Sequence, residues 1–214
     1  MNLKNIIFNL PEVKGPLQKR LSFKDKLKWT LVILVLYFLL GLIPLYGLVV
    51  NALQQFEQLS IILGAHFGSL ISLGIGPLVT ASIVLQLLNG SGLLKFDLTT
   101  DEGKRYFQGL QKLLSVFFII FEGAIYVYMG GLSPSTTLAP AQYKLMQLVL
   151  IGQIVVGGLM ILFMDEVINK WGFGSGISLF IAAGVSAEII IRAISPLSTA
   201  GTIAFGTMQP PVGK

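Results

Sequence analysis

Apolar residues run without a formal charge from Trp29 to Phe56, from Gln58 to Leu94 and from Leu145 to Met164, and the charged residues gather between these stretches. A bilayer core of about 30 Å takes roughly 20 apolar residues in helical form. The first and last stretches therefore predict one crossing each, the first beginning at Trp29 and ending near Leu45–Val50. The middle stretch, 37 residues long, would make a helix of about 55 Å. That is too long for one pass, and no polar hairpin divides it into two. Leu73-Gly74-Ile75-Gly76-Pro77 interrupts it instead. Pro77 lacks an N–H and suits the first turn of a new helix, so Gly74, Gly76 and Pro77 form the expected hinge between a first part (57–73) and a second helix (77–90). Irregular backbone at membrane depth is tolerated where protein or a water-filled path covers it. Two further crossings are expected at about 110–131, carrying Lys112 and Glu122, and at 177–194. The pattern thus predicts an all-α polytopic membrane protein of five transmembrane helices, the second broken and re-entrant.

The flanks differ in character. Residues 1–22 place Ile6, Ile7 and Leu10 beside Lys14, Lys19 and Arg20, which predicts an interfacial amphipathic helix on the cytoplasmic surface; with no small-residue cleavage site after it, it does not read as a cleavable signal peptide. Residues 23–194 hold the five crossings. Residues 195–214, rich in Gly, Thr and Pro, read as an extracytoplasmic loop, cut short. With the N-terminus inside, twelve Lys and Arg fall on the cytoplasmic side, against Lys144, Arg192 and Lys214 opposite. This bias sets orientation, and it holds when the broken segment counts as one net crossing; two crossings there weaken it.

Composition agrees with the class. The chain is 54% hydrophobic and 12% charged, where soluble domains average about 25% charged. It has no cysteine and a single histidine, His66, so cysteine-held metals and disulfides are excluded, and little scope is left for a metal site or a histidine-based catalytic dyad. No phosphate loop with its lysine and no nucleophile–base pair is present, which argues against an enzyme and against a cofactor. Gly174-Ser175-Gly176 is a weak echo of a phosphate loop and reads more simply as a tight turn feeding a helix. Glu122 is costly at membrane depth and is expected to pair with Lys112 or another polar group. Leu150, in the fourth crossing, is expected to face lipid.

Two glycine-to-helix transitions repeat one arrangement. Ile75 and Val79 are four residues apart after Gly74, and Ile177 and Ile181 are four apart after Gly176, so each pair shares a helix face. Ordinary packing accounts for this; so does an apolar constriction that closes a pore by excluding water. Periodicity does not choose between them.

Four sequence elements, taken together, resemble a known family: Lys26-Leu27-Lys28-Trp29-Thr30, the run ISLGIGPLVTASIVLQLLNGSG at 71–92, Phe107-Gln108-Gly109-Leu110-Gln111-Lys112, and WGFGSGISLFIAAGVS at 171–186. They are similar to the N-terminal half of the archaeal SecY family, the large subunit of protein-translocating channels, from about residue 10 to 194. The resemblance implies a passive channel for secretion and membrane insertion, without catalytic residues or cofactor, in the plasma membrane. It implies a plug at about 56–67 (Phe56, Leu59, Ile61, Ile62, Leu63, Phe67), a pore ring at Ile75, Val79, Ile177 and Ile181, and a lateral gate along 76–90 with Thr80, Ile83, Val84 and Leu87. The implied partners are a gamma (SecE-type) and a beta subunit, a ribosome or other motor, signal sequences and secretory polypeptides, and membrane lipid, with no direct nucleic-acid contact. The family has ten crossings in two inverted halves and this chain has five, so a missing C-terminal half of the same channel is expected as a further partner. Two rival readings remain: half of a secondary transporter, whose broken helices also meet at the midplane, and a scaffold of closely packed glycine-bearing helices.

Overall fold

The structure is a computed structural model that describes residues 10–16, 21–48, 68–94, 96, 98–134 and 139–194. Within these residues lie five helices: α1 (Phe23–Gly41), α2 (Gly76–Gly90), α3 (Asp101–Tyr128), α4 (Pro140–Trp171) and α5 (Gly176–Ile194). Among the described residues there is no strand, and β-pairing is confined to two isolated antiparallel bridges, Pro44 with Ser69 and Leu48 with Pro134.

Local chemistry sets the ends. Ser22 caps α1 by accepting the Asp25 N–H at 3.2 Å, and Thr100 caps α3 by accepting the Gly103 N–H at 3.2 Å, which satisfies donors a helix start leaves open. Pro77 and Pro140 each occupy the first turn of their helices. The first crossing was expected to end near 45–50, but α1 stops at Gly41. Pro44 disfavours helix at the residue before it, and the strand-like pairing of Leu45 N–H with the Gly68 carbonyl (2.8 Å) and Leu70 N–H with the Ile43 carbonyl (2.8 Å) takes the chain over. Helix α3 starts at Asp101, well before the expected start of the third crossing near 110. Residues 10–16 are not helical, so the surface helix expected over 1–22 does not run through them; Pro11 and Pro16 bracket that stretch.

Helix α4 is the hub. It packs on α1, α3 and α5, while α2 packs on α3. At 32 residues it is about 48 Å long. Among the described residues, two helices are long and apolar enough by length and composition to cross a membrane, Glu102–Tyr128 within α3 and all of α4; Gly76–Gly90 and Gly176–Ala187 are shorter apolar helices. Leu150 is 0% exposed and belongs to the core with Ile154, Ile161 and Ile168, against the expectation that it faces lipid. A helix hydrophobic all round gives no sequence signal of which side meets protein. Leu148, 65% exposed, faces outward.

Two adjacent glycines make the hub possible. A methyl built at Gly157 would overlap the Leu70 carbonyl outright, and one at Gly158 would lie 2.7 Å from Ile119 Cγ2. Gly157 thus admits the 68–75 backbone and Gly158 admits α3, the close approach that small residues allow between apolar helices. On the other flank, α1 meets α5 through Tyr37 stacked on Phe180 at 4.8 Å and 21°, both fully buried.

Candidate functional site

The turn that leads into α2 carries the first pair of candidate ring residues. Residues 70–75 form successive turns, with Ser72 N–H to the Ser69 carbonyl (3.0 Å), Gly74 N–H to the Ile71 carbonyl (2.8 Å) and Gly76 N–H to the Leu73 carbonyl (3.3 Å). Gly74 has φ +55, the left-handed region that only glycine occupies without strain. The segment is buried from Ile71 to Leu78, and these turn bonds satisfy the Ser72, Gly74 and Gly76 N–H groups that burial would otherwise leave open.

The four residues of the expected ring occupy different depths. Ile75 is 2% exposed and part of the core, Val79 and Ile177 are half-buried against that core, and Ile181 is 38% exposed. On the expected gate helix, Ile83 and Leu87 are exposed, while Thr80 and Val84 are half-buried. Phe56, Leu59, Ile61, Ile62, Leu63 and Phe67 of the expected plug lie outside the described residues, as do Ile6 and Ile7 and all of 195–214.

Glu122 does not pair with Lys112. The two are ten residues apart on one helix, about 15 Å along its axis. The Thr80 hydroxyl instead has two acceptors within reach, the Gly76 carbonyl at 3.0 Å and the Glu122 carboxylate. Glu122 also lies beside Gly76, 3.5 Å from where a Cβ would stand. A polar contact between α2 and α3 therefore sits at the start of α2.

Lys112 belongs to a cluster that sequence spacing did not reveal. Its Nζ is 2.7 Å from Glu166 Oε2 and 5.3 Å above the Phe163 ring, and it also donates to the Pro11 carbonyl. Lys170 donates to Glu166 Oε1 at 3.2 Å and pairs with Glu12. The Val13 N–H donates to Glu166 Oε1 at 3.2 Å, and Trp171 Nε1 donates to the Lys14 carbonyl at 2.9 Å. Residues 11–14 are thereby strapped to α3 at Lys112 and to the last turns of α4. Only the i, i+4 pair Glu166–Lys170 was visible in spacing; the remaining partners are 54 to 158 residues apart. Next to this strap a cavity of about 680 Å³ opens, with Leu78, Ser82, Gln108, Lys112, Asp165 and Ile177 in its wall.

The Lys170 ammonium holds the Glu12 carboxyl below its ordinary 4.5, chiefly through their hydrogen bond and against partial burial. A lowered carboxylate stabilises the fold above its unfolded value and loses that contribution as pH falls through the folded value. Acidification below 4.5 is therefore expected to loosen residues 11–14, read as a change in Trp171 emission, and Glu12→Gln is expected to flatten that acid limb. An identical limb in the variant would remove Glu12 from the account.

The glycines of 172–176 are explained by packing. A Cβ at Gly172 would lie 2.9 Å from Thr30 Oγ1, and Gly174 has φ +67. Thr30 Oγ1 accepts the Phe173 N–H at 3.2 Å and donates to the Lys26 carbonyl at 2.8 Å. Trp29–Trp171 and Phe23–Phe173 ring pairs, at 5.6 and 5.2 Å, close the same corner. The tight-turn reading of these glycines accords with this geometry.

Comparison with known proteins places these features in a family. The family model described as the plug domain of Sec61p matches residues 35–68, and the SecY model matches residues 69–211. The protein translocase subunit SecY of Methanothermobacter thermautotrophicus is 57% identical over 189 residues, 88% of this chain and 40% of that one. A solved structure described as a protein conducting channel superposes with TM-score 0.77 at 40% identity, covering 91% of this chain and 43% of its own. Sec61 in the canine ribosome–channel complex from the endoplasmic reticulum gives the same TM-score, identity and coverage. The chain spans less than half the length of the curated relatives it matches. With a family model over most of the chain and such identity along nearly all of it, the chain belongs to the SecY family.

Proposed function

We propose that this chain forms the N-terminal part of a passive protein-conducting channel, with a plug before residue 68, a hydrophobic ring and a lateral gate along α2, and that it carries out no catalysis. The observation that carries this reading is the boundary between the two family matches, at 68/69. It falls on the paired stem of Ile43–Leu45 with Gly68–Leu70, immediately before the buried turn and the Gly74–Pro77 hinge. The match to Sec61 in a ribosome–channel complex supports a ribosome or other motor as the source of force. The remaining part of the channel, a SecE-type gamma subunit and a beta subunit complete the assembly in this reading, in the plasma membrane with the N-terminus cytoplasmic.

Within it, Ile75, Val79, Ile177 and Ile181 supply half of a ring of flexible aliphatic side chains. Such a ring seals around a chain of any sequence because it offers no specific hydrogen bonds, and it excludes water when empty. Thr80, Ile83, Val84 and Leu87 line the side through which signal sequences and transmembrane segments reach lipid. The exposed aliphatic side chains Leu31, Val35, Leu39, Leu148 and Val156 form the kind of outer surface that lipid covers.

The test uses the absence of native cysteine. Single cysteines at Ile181, Ile75 and Leu148 are placed in the complete channel and crosslinked to a polypeptide arrested in transit. Strong crosslinking at Ile181 and Ile75 with little at Leu148 is the expected result. Equal crosslinking at all three positions overturns the ring assignment. In the empty channel, the burial of Ile75 predicts slow labelling there by a water-soluble thiol reagent and faster labelling at Ile181.

A further inference from the structure

Helix α5 begins without using the residue next to it. Ser175 is the type of residue that caps a helix start, and its carbonyl accepts the Leu179 N–H at 3.2 Å, yet Ser175 is exposed. The N–H of Ile177, the donor such a cap would serve, goes instead to Asp165 Oδ1 on α4, at 2.9 Å and twelve residues away. Asn169, one turn further along α4, donates to Asp165 Oδ2 at 3.0 Å and fixes the second oxygen. Gly176 allows this approach, because a Cβ there would lie 2.7 Å from the Asp165 Cα.

We propose that Asp165 is a positioning residue for the constriction: its carboxylate caps α5 from outside that helix and fixes the height and rotation at which Ile177 and Ile181 enter the ring. The proposal rests on the ring reading given above. Among the described residues, two contacts fix the start of α5 particularly closely. Phe180 stacked on Tyr37 anchors one side, and Asp165 anchors the end that carries Ile177. A carboxylate suits this place because the first turn of a helix presents unpaired N–H groups and the positive end of the peptide dipole, and both act more strongly where water is scarce. Without the cap, the first turn of α5 frays, and Ile177 is the side chain that moves with it.

The experiment uses the complete channel assembly carrying this sequence in liposomes. Two quantities are read: hydrogen exchange at the Ile177 amide and ion leak through the idle channel. Asp165→Ala is expected to speed exchange at Ile177 about tenfold, in line with the loss of a helix cap, and to raise ion leak severalfold. Asp165→Asn keeps a carbonyl oxygen in place and is expected to restore both to near the parent values. Ile181→Gly serves as the ring control and is expected to raise leak by itself. If Ile181→Gly leaks and Asp165→Ala does not, the positioning role is overturned while the ring reading stands. If neither leaks, the ring reading fails and takes this inference with it. A fall in thermal midpoint for Asp165→Ala and Asp165→Asn alike, with leak unchanged, marks a merely structural residue and also overturns the proposal. Should the alanine variant not assemble, Asp165→Ser, whose hydroxyl is too short to replace the carboxylate, is measured with the same expectations.

Discussion

Gly157→Ala is expected to cost about 3 kcal/mol or more of stability, at the upper end of what one added methyl inflicts on a tightly filled interior. The added methyl would meet the Leu70 carbonyl. A backbone group whose segment is pinned at Leu70 N–H to Ile43 and buried from Ile71 to Leu78 cannot rotate aside as a side chain can. Either the 68–75 turn lifts from α4 and carries the hinge with it, or α4 shifts and loosens its contacts with α1, α3 and α5. Gly158→Ala meets the side chain of Ile119, which can yield, and about 1–2 kcal/mol is expected. Gly152 has nothing within 4 Å, so Gly152→Ala is expected to be neutral or to gain a few tenths of a kcal/mol from better helix propensity. Thermal unfolding of the detergent-solubilised protein orders the three. Equal midpoints for Gly157→Ala and Gly152→Ala would falsify the close approach at Leu70.

The second large effect is expected at Glu166. Its carboxylate serves Lys112, Lys170 and the Val13 N–H together, and the Lys112 and Glu166 side chains are 14% and 15% exposed. Removing one partner of a largely buried pair leaves an uncompensated charge, which costs about 3–5 kcal/mol when burial is complete. With this residual exposure, Glu166→Gln is expected to cost about 2–3 kcal/mol. It also frees residues 11–14, read as faster proteolysis near Lys14. Lys112→Met added to Glu166→Gln removes one stranded ammonium and is expected to recover part of the loss. A double variant whose loss is the sum of the two singles would mean that Lys112 and Glu166 do not act on each other. Added salt is expected to change the Glu12–Lys170 contact more than Lys112–Glu166, since exposed pairs are the ones that mobile ions screen.

Legibility followed the range of the interaction. The second helix was readable to within a residue of its bounds, 76–90, because Gly76-Pro77 starts it and Asn89-Gly90-Ser91-Gly92 ends it, and such signals act over a few residues. The start of α3 was also written locally, in Thr100-Asp101-Glu102, a capping residue followed by acids, but the charges of 95–112 obscured it. Leu150 was misplaced because α4 is apolar on every side, so no periodic contrast marks the face that meets protein. Glu122 and Lys112 looked like partners because both are costly at membrane depth, yet the helix rise separates them and each found its counterpart on another element. The strap of residues 11–14 could not be anticipated, because its bonds span the length of the chain and several end on backbone carbonyls, which every sequence supplies.

The sequence by itself determined the all-helical class of the molecule, the break in the chain before α2 and the family, since composition, punctuation and motif are properties of short stretches. The tertiary structure decided which face of α4 is interior, what Lys112 and Glu166 hold, why Gly157 and Gly176 must be glycine, and that Asp165 rather than Ser175 caps α5. Those outcomes depend on distances between segments far apart in the chain. Distance in space is fixed by packing, because apolar helices offer one another many similar surfaces and only the assembled whole selects among them.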